Sequence, residues 1–421
     1  MEQPYLIRAW NLAPKVYYEK IFEYLPSLAE SHHSKGRPSF SKNSLLRALV
    51  YKNLRGLPSL TELAFELRNN LLMAETLGFP AWETPPSIER FSQFLRSTSN
   101  EDLQALRRSL VHYLIQEKVI AGETLAMDSC PIEANIRENN LKTSVKDRFD
   151  KNRKCSGDPE AKLGVKIHYP KPFERKIAYF WGYRNHLLID AETELPLGEK
   201  TWPANKDEKS QAIAMLKEIV STFGLPTKYV IADANYDTEE ILSYIFFEMK
   251  AEPIIPKNPR RSSTEGFMVK KEGVICPAGL QMHRRGKMTV KGITYLQYSC
   301  PLYYGPKSKR SLLLCLAGHP KSLSQKGCNH LIRLSPSVRE MIDYGSHRFK
   351  ELYSRRTSVE RVFSRLLAIS MQKPTVIGLE ATKNHCTIAH ISVLLIALAA
   401  HRLGAAEKIR FVKTFLPNLY L

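Results

Sequence analysis

The order of apolar runs between Thr124 and Ile255 constrains this chain more than any other feature. Strand-like runs occur at Thr124-Leu125-Ala126-Met127, across Ile177 to Asp190, and from Leu195 to Trp202. A stretch with helical spacing follows, through Ala212, Met215, Leu216, Ile219 and Val220, and Gly224-Leu225-Pro226 stops it. Tyr229-Val230-Ile231-Ala232 reads as another strand. The stretch to Lys250 reads as a helix with Asp237 and Glu240 as its capping box, and Pro253-Ile254-Ile255 as a last short strand. Three strands, then helix, strand, helix, strand, describe a mixed α/β sheet built as a meander followed by crossovers. Residues 138–176 are charged and turn-rich, and read as a loop.

Upstream, residues 1–120 read as all-helical. Ser41 is placed to cap a helix carrying Leu45, Leu46, Leu49 and Val50. Leu60, Leu63, Ala64, Leu67 and Leu71 continue the period, and Gly78 is a stop. Ser87 opens a helix with Phe91, Phe94 and Leu95 inward, and Asn100 is placed to cap a longer one through Leu114. Such a module serves equally as a packing or dimerisation domain or as a helix-turn-helix-like DNA reader. Helix returns at about 350–370 and 384–403. The expected divisions are 1–120, 121–256, 257–335 and 336–421.

Charge narrows the partner. The 421 residues carry 62 Lys and Arg against 42 Asp and Glu, a net +20. Residues 257–335 hold 15 of those basic residues and only 2 acidic ones, in a block that reads as β-rich (Lys287 to Tyr298, Ser311 to Leu316) with basic loops. A surplus of this size favours a polyanion. A membrane is the weaker polyanion, because the most apolar stretch, Ile391 to Ala400, is too short to span and reads as a buried helix. No basic-then-apolar leader opens the sequence. Seven irregularly spaced cysteines fit a reducing cytoplasm. Cys276, Cys300, Cys315 and Cys328 fall in the basic block without the close Cys-x2–4-Cys pair of zinc sites, so buried thiols are expected over structural zinc. In the same block Arg284, Arg285, Lys287, Lys309 and Arg310 are candidates to grip phosphates. Tyr295, Tyr298, Tyr303 and Tyr304 either stack on bases or pack between strands, the second reading being favoured.

Three carboxylates stand out. Asp128 and Asp233 each end an apolar run, and functional groups gather at the carboxyl ends of strands in open α/β sheets. Glu123 and Glu133 compete with Asp128, which is preferred because it directly ends the run. Glu360 reads as mid-helix among Val359, Val362 and Phe363, a buried carboxylate that is costly unless it holds a cation. Converging carboxylates hold Mg²⁺ or Mn²⁺, and a pair of such ions is suited to in-line phosphodiester chemistry. The structural readings are a turn or cap role for the aspartates and an i,i+4 pair between Glu360 and Arg356.

The residues around these acids resemble a known family. Asp233 sits in Val-Ile-Ala-Asp-Ala-Asn-Tyr-Asp (230–237). Glu360 sits in Tyr-Ser-Arg-Arg-Thr-Ser-Val-Glu-Arg-Val-Phe (353–363). Gly-Tyr-Arg-Asn-His (182–186) and Pro-Ala-Asn-Lys-Asp (203–207) lie upstream. The ensemble resembles the DDE transposases of bacterial insertion sequences over nearly the whole chain. The resemblance implies an RNase H-like mixed sheet flanked by helices, a helical N-terminal domain, and a basic β-rich insertion before the last acid. It implies the triad Asp128, Asp233 and Glu360 as catalytic residues and as ligands of two Mg²⁺ ions, with Mn²⁺ as substitute. Tyr353 and Arg356 match the family's Tyr-x2-Arg-x3-Glu-x6-Lys motif and are placed to reach phosphates, whereas its final Lys is replaced by Leu367. Asn205 and Asp207 also match a family motif, although Asp207 is placed to cap the next helix. The implied activity is cleavage at element ends and strand transfer into target DNA, by a homodimer on DNA in the bacterial cytoplasm at the nucleoid. An RNase H-like nuclease without joining, or a non-catalytic DNA-binding descendant, would share these features.

Overall fold

The computed structural model describes residues 14–30, 40–80, 82–139, 155–171, 174–258, 266–270, 273–290, 293–304, 306, 314–318, 327–335 and 337–415. They fall into two compact units. One comprises the chain up to Tyr236, Tyr244–Ile255 and the chain from His347 on; the other comprises Asp237–Ser243 and Pro256–Ser346.

The first unit opens with helices α1 (Pro14–Glu23), α2 (Lys42–Arg55), α3 (Leu60–Asn69), α4 (Leu71–Thr76), α5 (Ile88–Ser97) and α6 (Asn100–Gln116). Ser41 caps α2 by accepting the backbone N–H groups of Asn43 and Ser44, and Ser59 caps α3 through Glu62. Two expected caps are not made. Ser87 precedes α5 without a side-chain cap bond. Asn100 is the first residue of α6, and its amide donates instead to Asn384 Oδ1 (2.9 Å) and Thr387 Oγ1 (3.0 Å).

The sheet contains β1 (Thr124–Glu133), β2 (Lys162–Lys171), β3 (Glu174–Asp190), β4 (Leu195–Pro203), β5 (Tyr229–Ile231) and β6 (Glu252–Ile254), with α7 (Glu208–Phe223) crossing from β4 to β5. Its order is β2-β3-β1-β5-β6, and β4 also pairs with β3. The long strand β3 changes partners at Gly182. Before it β3 pairs with β2, and after it with β1 and β4, all antiparallel. A Cβ at Gly182 (φ +158°) would lie 2.1 Å from the Ile132 carbonyl oxygen, so this crossing admits only glycine. β1, β5 and β6 run parallel.

Strand β2 corrects the loop expected over 138–176. Leu163, Val165 and Ile167 alternate with Lys162, Gly164 and Lys166, a period of two that the surrounding charge obscures. The helix expected to reach Lys250 is shorter: α8 (Glu239–Ser243) is followed by a π-helical turn over Tyr244–Glu248. Its cap is Thr238, whose hydroxyl accepts from the Ile241 N–H (3.2 Å). Asp237 is not the cap, because its buried carboxylate accepts from Arg339 Nε (2.8 Å) and from the Asn258 N–H (2.9 Å).

The second unit holds a β7 (Met268–Lys270) and β8 (Gly273–Ile275) hairpin. It also holds a three-stranded sheet of β9 (His283–Val290), β10 (Ile293–Ser299) and β11 (Asn329–Arg333), in the order β11-β10-β9, and the helix α9 (Val338–Met341). The hairpin expected around 287–298 is β9–β10. Of the strand expected at Ser311 to Leu316, residues 311–313 lie outside the described residues and 314–316 form no strand. Strand β11 has no counterpart among the expected elements. Cys276, Cys300 and Cys328 share a small core with Val274, Met282, Tyr298 and Tyr303, so two of the four tyrosines pack rather than face solvent.

The chain returns to the first unit with α10 (His347–Ser354), α11 (Thr357–Ala368) and α12 (Leu379–Arg402). Among the described residues α12 alone is long and apolar enough to cross a bilayer, and 94% of that stretch is buried inside the protein. It starts five residues earlier than expected. It packs against β4 and against α2, α5 and α6, so the N-terminal helices and the sheet share one core. Leu394, Leu395 and Leu398 are fully buried, each stabilising by about 1.5–3 kcal/mol.

Candidate active site

The site is set by strand register. β1 and β5 pair in parallel through Thr124↔Tyr229, Leu125↔Val230 and Ala126↔Ile231. Asp128 and Asp233 each stand two residues past that last pair, so the two carboxylates leave adjacent strands at the same level. One expectation needs correction: Asp128 does not end its strand. β1 continues to Glu133 because β3 remains beside it, with Asp128 opposite Leu187. Only β5 stops, at Ile231. The chain then turns, and Asp233 receives the Asn235 N–H (2.9 Å) and side-chain amide (2.9 Å). The competitors of Asp128 have other partners: Glu123 pairs with Lys228 and Glu133 with Lys166.

The third acid arrives from α11. Val359, Val362 and Leu366 are fully buried and hold this helix down, while Glu360 in its first turn is 51% exposed. The helix expected over 350–370 is interrupted between α10 and α11. Backbone bonds of the i→i−3 kind, from Arg356 to Tyr353 and from Ser358 to Arg355, tighten the link. This break makes Arg356 the residue before α11. Its guanidinium meets Glu360 Oε1 and, at 3.5 Å, Asp128 Oδ2. The expected i,i+4 pair is therefore present, and the same arginine links it to the sheet.

Electrostatics bind the group together. Burial raises the Tyr353 hydroxyl above its ordinary pKa; Arg356 opposes this, and the charges of Asp233, Asp128 and Glu360 reinforce it. All three acids therefore act on one phenol. Burial would lower the Arg356 pKa, but Glu360, Asp128 and Tyr353 outweigh it and raise the value.

The donors are carboxylate oxygens without thiol or imidazole, a hard set suited to a hard divalent cation. Among the described residues no three acidic, thiol or imidazole groups stand close enough to hold one ion. The cation between Asp128 and Glu360 is the Arg356 guanidinium.

The other expected residues belong to other elements. Arg284, Arg285 and Lys287 are exposed on β9, an edge strand of the second unit, with Arg285 over the Tyr304 ring at 5.7 Å. Lys309 and Arg310 lie outside the described residues. Asn205 and Asp207 are exposed; Asp207 precedes α7 without a side-chain cap bond.

A family model described as a transposase DDE domain matches residues 164–395, more than half of the chain. The chain belongs to the DDE transposase family. Asp233 and Glu360 fall within that match and Asp128 precedes it. A second model, described as a transposase domain, matches residues 14–97, the stretch of α1 to α5. The chain is thus a transposase, an enzyme of DNA transposition, of the insertion-sequence type. DDE transposases use divalent metal ions and act on DNA. No curated protein matches the chain. Among solved structures, one chain of a piggyBac transposase synaptic complex with hairpin DNA aligns at 12% identity and a TM-score of 0.43, covering 98% of this chain and 79% of that one.

Sequence reasoning misses a buried cluster beneath α12 entirely. Glu199 on β4 is 2% exposed. It accepts from Gln104 of α6, from Thr387 of α12 (2.6 Å) and from Asn185 of β3 (2.7 Å). The Asn185 carbonyl in turn meets His390 Nε2 at 3.0 Å. No local pattern announces it, since its members come from α6, from the β3–β4 pair and from α12.

Proposed function

We propose that this transposase cuts phosphodiester bonds at the ends of its element and joins the freed 3′ ends to target DNA, with Asp128, Asp233 and Glu360 as its catalytic carboxylates. The matched level of Asp128 and Asp233 on neighbouring parallel strands carries this reading. The sheet order and the meander-then-crossover connection support an RNase H-like core.

The three carboxylates would hold Mg²⁺, with Mn²⁺ as substitute. When bound, the divalent ions supply Lewis acidity to the attacking oxygen, first of water and then of a DNA 3′-OH, and to the leaving 3′ oxygen. The remaining roles belong to side chains. Arg356 neutralises the carboxylates in the resting protein and turns to the scissile or flanking phosphate when DNA and metal arrive. Tyr353, whose hydroxyl responds to the charge of all three acids, donates a hydrogen bond to the same phosphate region. The exposed Arg284, Arg285 and Lys287 grip backbone phosphates. Cutting and joining at two ends fits a homodimer on DNA, at the nucleoid of a bacterial cytoplasm, with the helices of residues 14–116 reading DNA or holding the dimer.

The test is a labelled duplex carrying the DNA ends that flank the reading frame, incubated with a supercoiled target plasmid. Mg²⁺-dependent nicks with 3′-OH ends, followed by end–plasmid joints, are expected. Nicks without joints in Mg²⁺ or Mn²⁺ would instead indicate a nuclease, and binding without cutting a DNA-binding protein.

A further inference from the structure

We propose that Glu194, at the tight turn between β3 and β4, is a positioning residue that sets where α11 delivers Glu360 to the active site. Glu194 lies in none of the motifs around the acids. Its side chain is 5% exposed, yet it is surrounded by three arginines. Arg361 Nε meets Oε1 at 2.6 Å, Arg365 Nη2 meets Oε2 at 3.1 Å, and Arg410 Nη1 meets Oε1 at 3.4 Å. Arg365 also donates to the Glu194 carbonyl oxygen (2.8 Å), and Arg410 to the carbonyls of Glu192 and Thr193.

Two features make this more than a surface ion pair. First, Arg361 and Arg365 are four residues apart and lie on one face of α11, and Arg361 directly follows Glu360. The apolar seam of Val359, Val362 and Leu366 resists lifting of α11 from the sheet but resists sliding and rolling poorly, because apolar contact is non-directional. Two charge-assisted bonds to one fixed carboxylate fix rotation and register together. Second, Glu194 has φ +58°, a left-handed backbone conformation that costs a non-glycine residue energy. Asp190 already ties the turn by accepting from Thr193 N (2.9 Å) and Oγ1 (2.6 Å), so the turn itself does not need a glutamate. A glycine would suit this backbone better. What only the glutamate supplies is the carboxylate between the arginines of α11.

The inference rests on Glu360 being a metal ligand. If α11 is released, Glu360 moves relative to Asp128 on β1 and Asp233 in the turn after β5, and the site binds metal less well while other DNA contacts persist.

Glu194→Gly separates positioning from folding, because it relaxes the backbone at this turn and deletes the carboxylate. Mg²⁺ would be titrated in a nicking assay on the end duplex with wild type, Glu194→Gly and Glu360→Gln, and affinity for the duplex measured in EDTA. The expected result is at least a tenfold higher half-saturating Mg²⁺ for Glu194→Gly, with unchanged duplex affinity. Should Glu194→Gly melt early, Arg361→Gln undergoes the same titration and the same shift is expected. An unshifted Mg²⁺ midpoint in the folded variant, with Glu360→Gln inactive, would overturn the positioning role alone. Full activity of Glu360→Gln would overturn the site assignment and this inference with it.

Discussion

Two carboxylate clusters sit on the same sheet and differ in what satisfies their charge. Beneath α12, Glu199 is enclosed, and both its oxygens accept from the amides and hydroxyl of Gln104, Asn185 and Thr387. At the carboxyl end of β5, Asp128 is 22% exposed and Glu360 51% exposed, and the Arg356 guanidinium bridges them. The buried cluster has fixed neutral donors and no access to a ligand. The open one has a displaceable cation and faces solvent. Acidic residues at strand level are therefore told apart by their partners: a fully hydrogen-bonded carboxylate serves the fold, and one held by a replaceable charge is available for chemistry.

This contrast is broken or sharpened by substitution. The largest expected effect is at the open site. Asp128→Asn and Asp233→Asn each lower cleavage by about 10³-fold or more, because the loss falls on transition-state stabilisation. Duplex binding and thermal midpoint stay near wild type, so a gel assay and a melt run on the same sample decide. A comparable loss of stability in either variant would erase the distinction between the clusters.

The converse holds for the buried cluster. Glu199→Ala removes the charged acceptor shared by the buried Gln104, Asn185 and Thr387, beside the enclosed Arg107, and costs about 3–5 kcal/mol in urea unfolding. Glu199→Gln, which keeps shape and one acceptor, costs about 1–2 kcal/mol.

Acid provides a third test. Burial pushes His390, in this cluster, and His385, which meets the carbonyls of Ser370 and Met371, down to about 4. A histidine depressed on folding is neutral in the native state. Its stabilising contribution is complete above the unfolded value near 6.5 and disappears as pH falls to 4, a loss of about 3 kcal/mol per residue. Urea unfolding at pH 7 and pH 4 measures it, and His390→Gln is expected to flatten the dependence by about half. An unchanged slope would contradict the buried neutral imidazole.

The smallest effect belongs to the basic strand of the second unit. Lys287→Ala or Arg285→Ala is expected to weaken DNA binding modestly at every sequence. Each substitution reduces the salt slope of log affinity by about 0.9 for every phosphate it leaves without a cationic partner, read by titration at several salt concentrations.

The open site is more legible in the sequence than the buried one, for a physical reason. Asp233 and Glu360 are embedded in local patterns: an apolar strand followed by an Asp-x-Asn turn, and a helix with Val359, Val362 and Leu366 on one side. Register depends on hydrogen-bond pairing between segments about 100 residues apart, so the sequence alone makes the meeting of the two aspartates conditional on β1 and β5 being neighbours. The extension of β1 past Asp128 is hidden because polar residues such as Ser129 and Glu133 are held there by β3. Strand β2 is hidden by its lysines, and the break before Arg356 by uninterrupted helical spacing. Glu199 and Glu194 have no local signature, since partners such as Thr387 and Arg365 lie 188 and 171 residues away, and Arg410 lies farther still from Glu194.

The central claim is that Asp128, Asp233 and Glu360 act as one divalent-ion site, and metal binding to the protein alone tests it most directly. Free Mn²⁺ would be followed by electron paramagnetic resonance during titration into metal-stripped wild type, Asp128→Asn, Asp233→Asn and Glu360→Gln. The account predicts saturable binding by wild type, weakened at least tenfold by each substitution. Wild-type Mn²⁺ binding that survives in all three variants would contradict it.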